Sequence, residues 1–425
     1  MARLLVLFVT AFVDMVGLTM IVPLLPFYAT ELGASATVVG LLVSAFSVAQ
    51  LAVAPLWGNL SDRYGRRPAI LAGLLLTSCA YVIFGFAASV PVLLLSRLVQ
   101  GLGGGTIGVV QAYVADASPP EERTKSLGWL SAVTSLGAVA GPAFGSVMIS
   151  LGGRAAPGIG AAALALLVAG FAARFLVESH QPRTTGSAPS STSPRQAIGR
   201  VLSHWHEPAS RLIWIYTIAI GAFYGTIQVV PLLLMNRLDV TERNIGYFVM
   251  YLGGMGVVVR TLLLGRMVEL LGEARLSRLG LVLLAMGLGC TGLATHGGII
   301  LLGFTLMPLG TAFLFPCITG LLSRVVPANQ RGMYMGVQHT FGGVSRVLFP
   351  VAAGLLMDRL GVGVPFWIAG LLVLATLPFA WGLATSLPPE SPASVAVLTV
   401  SSADVTGEFS VEKVAEEQTE RPQRS

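Results

Sequence analysis

The chain has 425 residues, of which 54% are hydrophobic and only 11% charged, and its mean hydropathy is +0.78. So little polar surface cannot coat a water-soluble globule of this size, which excludes a soluble enzyme or binding module and makes the lipid bilayer the solvent. The net charge of +6 calls for no nucleic-acid partner, because membrane topology accounts for it below.

Apolar runs of about twenty residues suffice to cross a hydrocarbon core of roughly 30 Å. They recur at about 4–28, 37–57, 69–88, 91–115, 126–150, 157–177, 211–235, 244–265, 276–295, 298–323, 333–357 and 363–384, predicting twelve spans. The first run is too long for the apolar core of a cleavable signal and reads as a spanning helix. Pro23, Pro26, Pro142, Pro231, Pro308, Pro316 and Pro350 fall inside spans, where neighbouring helices can satisfy the freed backbone groups. Cys79, Cys290 and Cys317 all lie in apolar runs and read as small buried hydrophobes, not as a disulfide framework or a metal site.

Alternate connections differ in charge. One set carries Arg63, Arg66, Arg67, Arg123, Lys125, Arg266, Arg275, Arg278, Arg324 and Arg331, the other only Arg154, Arg237, Arg243 and Arg359. This ten-to-four bias places the first set, and both termini, in the cytoplasm. Residues 178–210 include a Ser/Thr/Pro-rich stretch that cannot build a packed core and is expected to be a cytoplasmic linker, with a short interfacial helix over Leu202–Glu207. Residues 386–425 hold seven acidic and three basic groups with few aromatics and are expected to form a disordered cytoplasmic tail. The expected units are therefore 1–177, the linker, 211–385 and the tail.

The two large units repeat. Val22-Pro23-Leu24-Leu25 recurs as Val230-Pro231-Leu232-Leu233, and Pro119, Arg123, Gly128 and Pro142 recur as Pro327, Arg331, Gly336 and Pro350, each pair 208 positions apart. Gly58, Asp62 and Gly65 recur as Gly265, Glu269 and Gly272, 207 apart. Six spans per copy give both copies the same membrane orientation, which predicts parallel repeats with a site near the midplane between them.

Particular motifs sharpen this prediction. Gly58-Asn59-Leu60-Ser61-Asp62-Arg63-Tyr64-Gly65-Arg66-Arg67-Pro68 is a charged, tightly bent turn between two apolar segments, and it resembles motif A of the major facilitator superfamily. Arg97, Gln100, Gly101 and Gly105 resemble its motif B. Gly137, Gly141, Pro142 and Gly145 resemble motif C, with Ser146 where the family pattern has its last glycine. Asp14, Gly17, Pro23, Pro26 and Gly33 are similar to the first-span signature of the twelve-span drug:proton antiporters. The resemblance implies an all-α integral membrane protein of the major facilitator fold, with twelve transmembrane helices in two pseudo-symmetric six-helix bundles. It also implies a secondary transporter working by alternating access.

Physical reading gives these residues roles. Asp62 with Arg63, Arg66 and Arg67, on glycine bends at Gly58 and Gly65, is a candidate latch that engages in one conformation and breaks in another. In the second copy Glu269 keeps the acid, but Glu273 and Ala274 replace the arginines, which predicts a weaker latch. Gly137, Gly141 and Gly145 at four-residue steps make a smooth face for close helix approach, bent by Pro142; the resemblance adds that this face seals against leak.

A charge at bilayer depth costs at least about 2.5 kcal/mol unless paired or hydrated, so ionisable residues inside spans are the strongest site candidates. Asp14, about 15 Å into the first span, is the candidate proton-coupling carboxylate, with a purely structural role as the alternative. Arg97 joins it in proton coupling on the motif B resemblance. Arg260, near the end of its span, can snorkel. Arg346, with His339 seven positions earlier, either binds an anionic substrate or pairs with Asp14. Tyr224, Gln228, Gln100, Phe313 and Phe315 complete a candidate substrate cavity.

The sequence shows no Walker lysine loop and no hydrolytic or metal-ligand constellation, so neither an ATP-driven pump nor an enzyme is expected. The favoured reading is a proton-coupled exporter of small amphipathic or drug-like compounds in the plasma membrane, acting as a monomer. Its partners are a small-molecule substrate, protons and the lipid bilayer, with no cofactor, metal or nucleic acid. A proton-coupled importer of an organic acid or sugar is the alternative, and a non-transporting sensor on a transporter scaffold is a second.

Overall fold

A computed structural model describes residues 2–104, 106–119, 122–178, 194–327 and 330–381. Motif B's Gly105, the Ser/Thr/Pro-rich part of the linker and the expected acidic tail lie outside the described residues. Among those described, every regular element is helical.

The first span is α1 (Ala2–Ile21), a 3₁₀ turn at Val22–Leu24 and α2 (Leu25–Glu31). The turn falls where Pro23 removes a helical donor. The repeated tetrapeptide around Pro231 instead stays inside one continuous helix of the second copy. The next two spans are α3 (Ala36–Tyr64) and α4 (Arg66–Gly85). They are hinged at Gly65, whose φ of +104° suits a residue without a Cβ. The expected fourth span is divided into α5 (Val90–Gly104) and α6 (Ile107–Ala117). Then follow α7 (Arg123–Gly152) and α8 (Ala156–Phe175).

Helix α9 (Pro194–Ser203) corrects the expected interfacial helix, which was placed eight residues later. Ala197 and Val201, one turn apart, are fully buried and set its register. Pro208 begins the next helix and leaves Glu207 extended, so residues 204–207 form the bend between them. Trp205 is exposed there, as an interfacial anchor requires.

The second copy comprises α10 (Pro208–Leu238), α11 (Ile245–Val258), a π-helical turn at Val259–Leu263, α12 (Leu264–Leu293), α13 (Gly297–Val325), α14 (Arg331–Leu360) and α15 (Val364–Ala375). Among the described residues, ten helical stretches are long and apolar enough to span a membrane. One of them, the 49-residue Ile245–Leu293, receives both the eighth and ninth expected spans and turns at Gly272, φ +72°. Gly272 is the repeat partner of Gly65. The last expected span falls on the shorter apolar stretch Val364–Ala380.

Packing follows the repeat. In the first half α1 packs on α7 and α8, and α4 on α5 and α8; in the second, α12 packs on α13 and α15, and α10 on α14. Two long contacts join the halves, α3 with α14 and α7 with α11. Side chains such as Leu167, Leu270 and Leu371 are mostly exposed, an arrangement suited to lipid and not to water.

Candidate functional site

The glycine face of α7 lies against α1. A Cβ added at Gly137 or Gly141 would sit 2.6 Å from the carbonyl oxygens of Phe12 or Val16, and one at Gly145 2.5 Å from that of Met20. These approaches are closer than any side chain allows, so the three glycines are needed for backbone contact. Beyond them α7 reaches the other half. Ser146 Oγ donates to the Glu242 carbonyl at 3.0 Å and accepts from the Gly246 amide at 3.0 Å. The serine that departs from the glycine pattern therefore ties the halves together.

On the other seam, Asp358 at the end of α14 accepts from the first two amides of α3, Ala36 at 3.0 Å and Thr37 at 2.8 Å, and from the Thr37 hydroxyl at 2.6 Å. A carboxylate on a helix amino terminus meets free donors and the positive end of the dipole. Ser44 adds a bond to the Val347 carbonyl at 2.5 Å. Sequence reading passed over Asp358, because its partners lie more than 300 positions away. These bonds between the halves lie toward the end that carries the Arg-poor connections.

The motif A residues are engaged within the first half. Arg66, almost fully buried, pairs with Asp62 at 2.6 Å and Asp116 at 3.4 Å and donates to Ser61 at 2.6 Å. Glu178 accepts from the backbone amides of Arg66 and Arg67, capping α4, and the Arg67 guanidinium donates to the Ala173 carbonyl. Arg63 is exposed and lies over Tyr64, and Gly58 accepts from Ser61. Glu269 is exposed in the second copy.

A cavity of ≈ 630 Å³ opens within the first half, lined by Thr10, Asp14, Gln111, Ser131 and Thr134 among apolar residues of α1, α4, α6 and α7. Asp14 is half-buried on its wall and has no ion pair or hydrogen bond with a described residue. Arg97 and Gln100 of α5 are buried, with the Arg97 guanidinium over the Phe46 ring of α3 and donating to Gln100 Oε1.

The remaining candidates gather in the second half. The Arg346 guanidinium lies 4.8 Å from the Tyr224 ring centre, with Tyr216 close enough to feel its charge. Tyr216 in turn meets Phe315 edge-on at 5.5 Å and His339 at 6.4 Å. The structure thus unites Arg346, Tyr224, His339 and Phe315, and adds Tyr216, which the four-residue steps from Tyr216 through Tyr224 to Gln228 would have revealed. Gln228 is half-buried on the same helix. Phe313 packs in an apolar cluster with Val259, Leu276 and Cys317. No ion pair joins Arg346 to Asp14. Among the described residues no His, Cys, Asp and Glu cluster is suited to a metal.

A duplicated helical bundle, tied at one end and holding a lone carboxylate on an internal cavity, is the framework of a membrane transporter. The chain matches the Major Facilitator Superfamily over residues 7–272 and 256–403 and belongs to that superfamily. It is 30% identical over 376 residues to Multidrug resistance protein 2 of Bacillus subtilis (strain 168), covering 86% of this chain and 91% of that protein. It is 25% identical over 365 residues to the Quinolone resistance protein NorA of Staphylococcus aureus (strain MSSA476), covering 84% and 90%. A solved bacterial homologue of the human lysosomal transporter Spinster, inward-facing and unoccupied, matches the fold with a TM-score of 0.74 at 15% identity, over 92% of this chain and 98% of that one. The chain is thus a multi-pass membrane transporter, not an enzyme.

Proposed function

We propose that the protein exports small amphipathic, drug-like compounds in exchange for protons by alternating access, as a monomer in the cytoplasmic membrane with both termini inside. The observation that carries this reading is Asp14. An unpaired carboxylate on a cavity wall at bilayer depth is costly when charged, and binding a proton or a cationic substrate relieves that cost in alternation. The multidrug and quinolone resistance names of two relatives support the drug-like substrate class.

The halves, 1–177 and 211–385 joined by the 178–210 linker, are the moving bodies. Bonds between them at the Arg-poor end correspond to an inward-facing state under the positive-inside topology. The motif A cluster, with Asp62 exposed, is then a latch awaiting the opposite state. Arg346, over the Tyr224 ring, is the second-half residue this reading assigns to the substrate path.

The test is Asp14→Asn in proteoliposomes. Accumulation of ethidium, an amphipathic cation, driven by an imposed pH gradient is expected to be abolished, while melting temperature and equilibrium exchange persist. Undiminished uphill accumulation would remove Asp14 from coupling.

A further inference from the structure

Tyr81 on α4 was assigned no role by its sequence, yet it is the most deeply placed titratable group near Asp14. It is 1% exposed, its hydroxyl lies 3.2 Å from the Cβ position of Gly17, one turn along α1 from Asp14, and its electrostatic neighbours are Asp14, Gln100 and Arg97. Its ring is held by Gly17, where an added Cβ would lie 3.1 Å from the ring edge, so the missing side chain at Gly17 makes the space the tyrosine occupies.

The bonding in this cluster is directional. Arg97 donates to Gln100 Oε1, which occupies the amide oxygen and leaves the amide nitrogen to donate. Gln100 Nε2 and the Tyr81 hydroxyl are both buried without a hydrogen bond, and a buried polar group in hydrocarbon is costly until paired. The two orphaned atoms are complementary: Nε2 can only donate, and the phenol oxygen accepts while its hydrogen donates onward.

We infer that Tyr81 is a positioning residue for the Asp14 proton site, completing a chain in which Arg97 donates to Gln100, Gln100 to the Tyr81 oxygen, and the Tyr81 hydroxyl to the Asp14 carboxylate. The chain carries the arginine's positive charge toward the ionised carboxylate and relaxes when Asp14 is protonated. Among the described residues the other charged group acting on this site is Arg97 itself; Gln111 of α6 and Ser131 and Thr134 of α7 line the Asp14 cavity and are neutral. The cluster is not a relic of duplication, since positions 208 further on are Ala222, Gly289, Thr305 and Pro308.

This inference rests on Asp14 being the proton site, and infrared titration of the purified protein separates the two claims without needing a substrate. The protonated-carboxyl band of Asp14 is identified by its loss in Asp14→Asn. In Tyr81→Phe, which keeps the ring on Gly17, the midpoint of that band is expected to rise by about one pH unit, the size of one hydrogen bond to a charged group. Gln100→Met, which breaks the chain one step earlier, is expected to move it the same way. A band that titrates but keeps its midpoint in both variants would overturn the Tyr81 assignment alone. If Asp14→Asn removes no titrating band, the proton-site reading falls and the Tyr81 inference with it.

Discussion

Ser146 shows how one atom changes what a motif does. A glycine there would complete the smooth face against α1; the serine hydroxyl instead makes two hydrogen bonds to the opposite half. Each contributes about 1 kcal/mol net. Ser146→Gly is therefore expected to shift the balance between closed and open seams by roughly 30-fold, the equivalent of about 2 kcal/mol. Spin-label distances across the 154–156 and 239–244 connections would register this as a grown long-distance population, and unchanged distributions would contradict it. The sequence made Ser146 visible as a departure from pattern but not as a bridge, because its partners, Glu242 and Gly246, are about a hundred positions away. Asp14 and Arg97 were legible for the opposite reason: a charge inside an apolar run announces itself without its partners. Tyr81, Tyr216 and Asp358 carry no such mark, since tyrosine is ordinary in a span and an acid near a helix end is ordinary anywhere.

At the scale of elements, the repeat preserves contacts while inverting their chemistry. Arg66 at the start of α4 pairs with Asp116 at the end of α6. At offsets of 207 and 208, Glu273 pairs with Arg324 at 3.2 Å. Residue by residue, Glu273 looked like the loss of an arginine and hence a weakened second copy. The structure shows a compensated exchange of sign, which an alignment of the halves can reveal only when both partners are considered together. Arg324 is 44% exposed, so solvent screening limits the pair to about 1 kcal/mol or less. Arg324→Glu is expected to lower the melting temperature in detergent, and adding Glu273→Arg to restore most of the loss. A double variant no more stable than the single one would refute the pairing. The hinges at Gly65 and Gly272 repeat too, and these were legible because a positive φ selects glycine in both copies.

For the whole molecule, two seams of opposite construction close the same end: Asp358 on the amino terminus of α3, and Ser146 on the start of α11. Each seam adds close backbone contact to these bonds, at Gly40 against Pro350 and Gly354 against Ala36 on one side and at Gly246 against Pro142 on the other, and hydrogen bonds worth a few kcal/mol can open and re-form. Glycine contacts of the same backbone-to-backbone kind pack α7 on α1 within the first half. Asp14 faces a cavity inside the first half. The fold was legible from the twelve apolar runs and the fixed repeat offset. Which end closes was not, because it depends on contacts between the copies. The proposed exchange requires protons and substrate to move oppositely through this one framework. Simultaneous recording of ethidium and proton fluxes in proteoliposomes under an imposed pH gradient tests this directly: movement in opposite directions, both lost in Asp14→Asn, is expected, and movement in the same direction would refute the exchange.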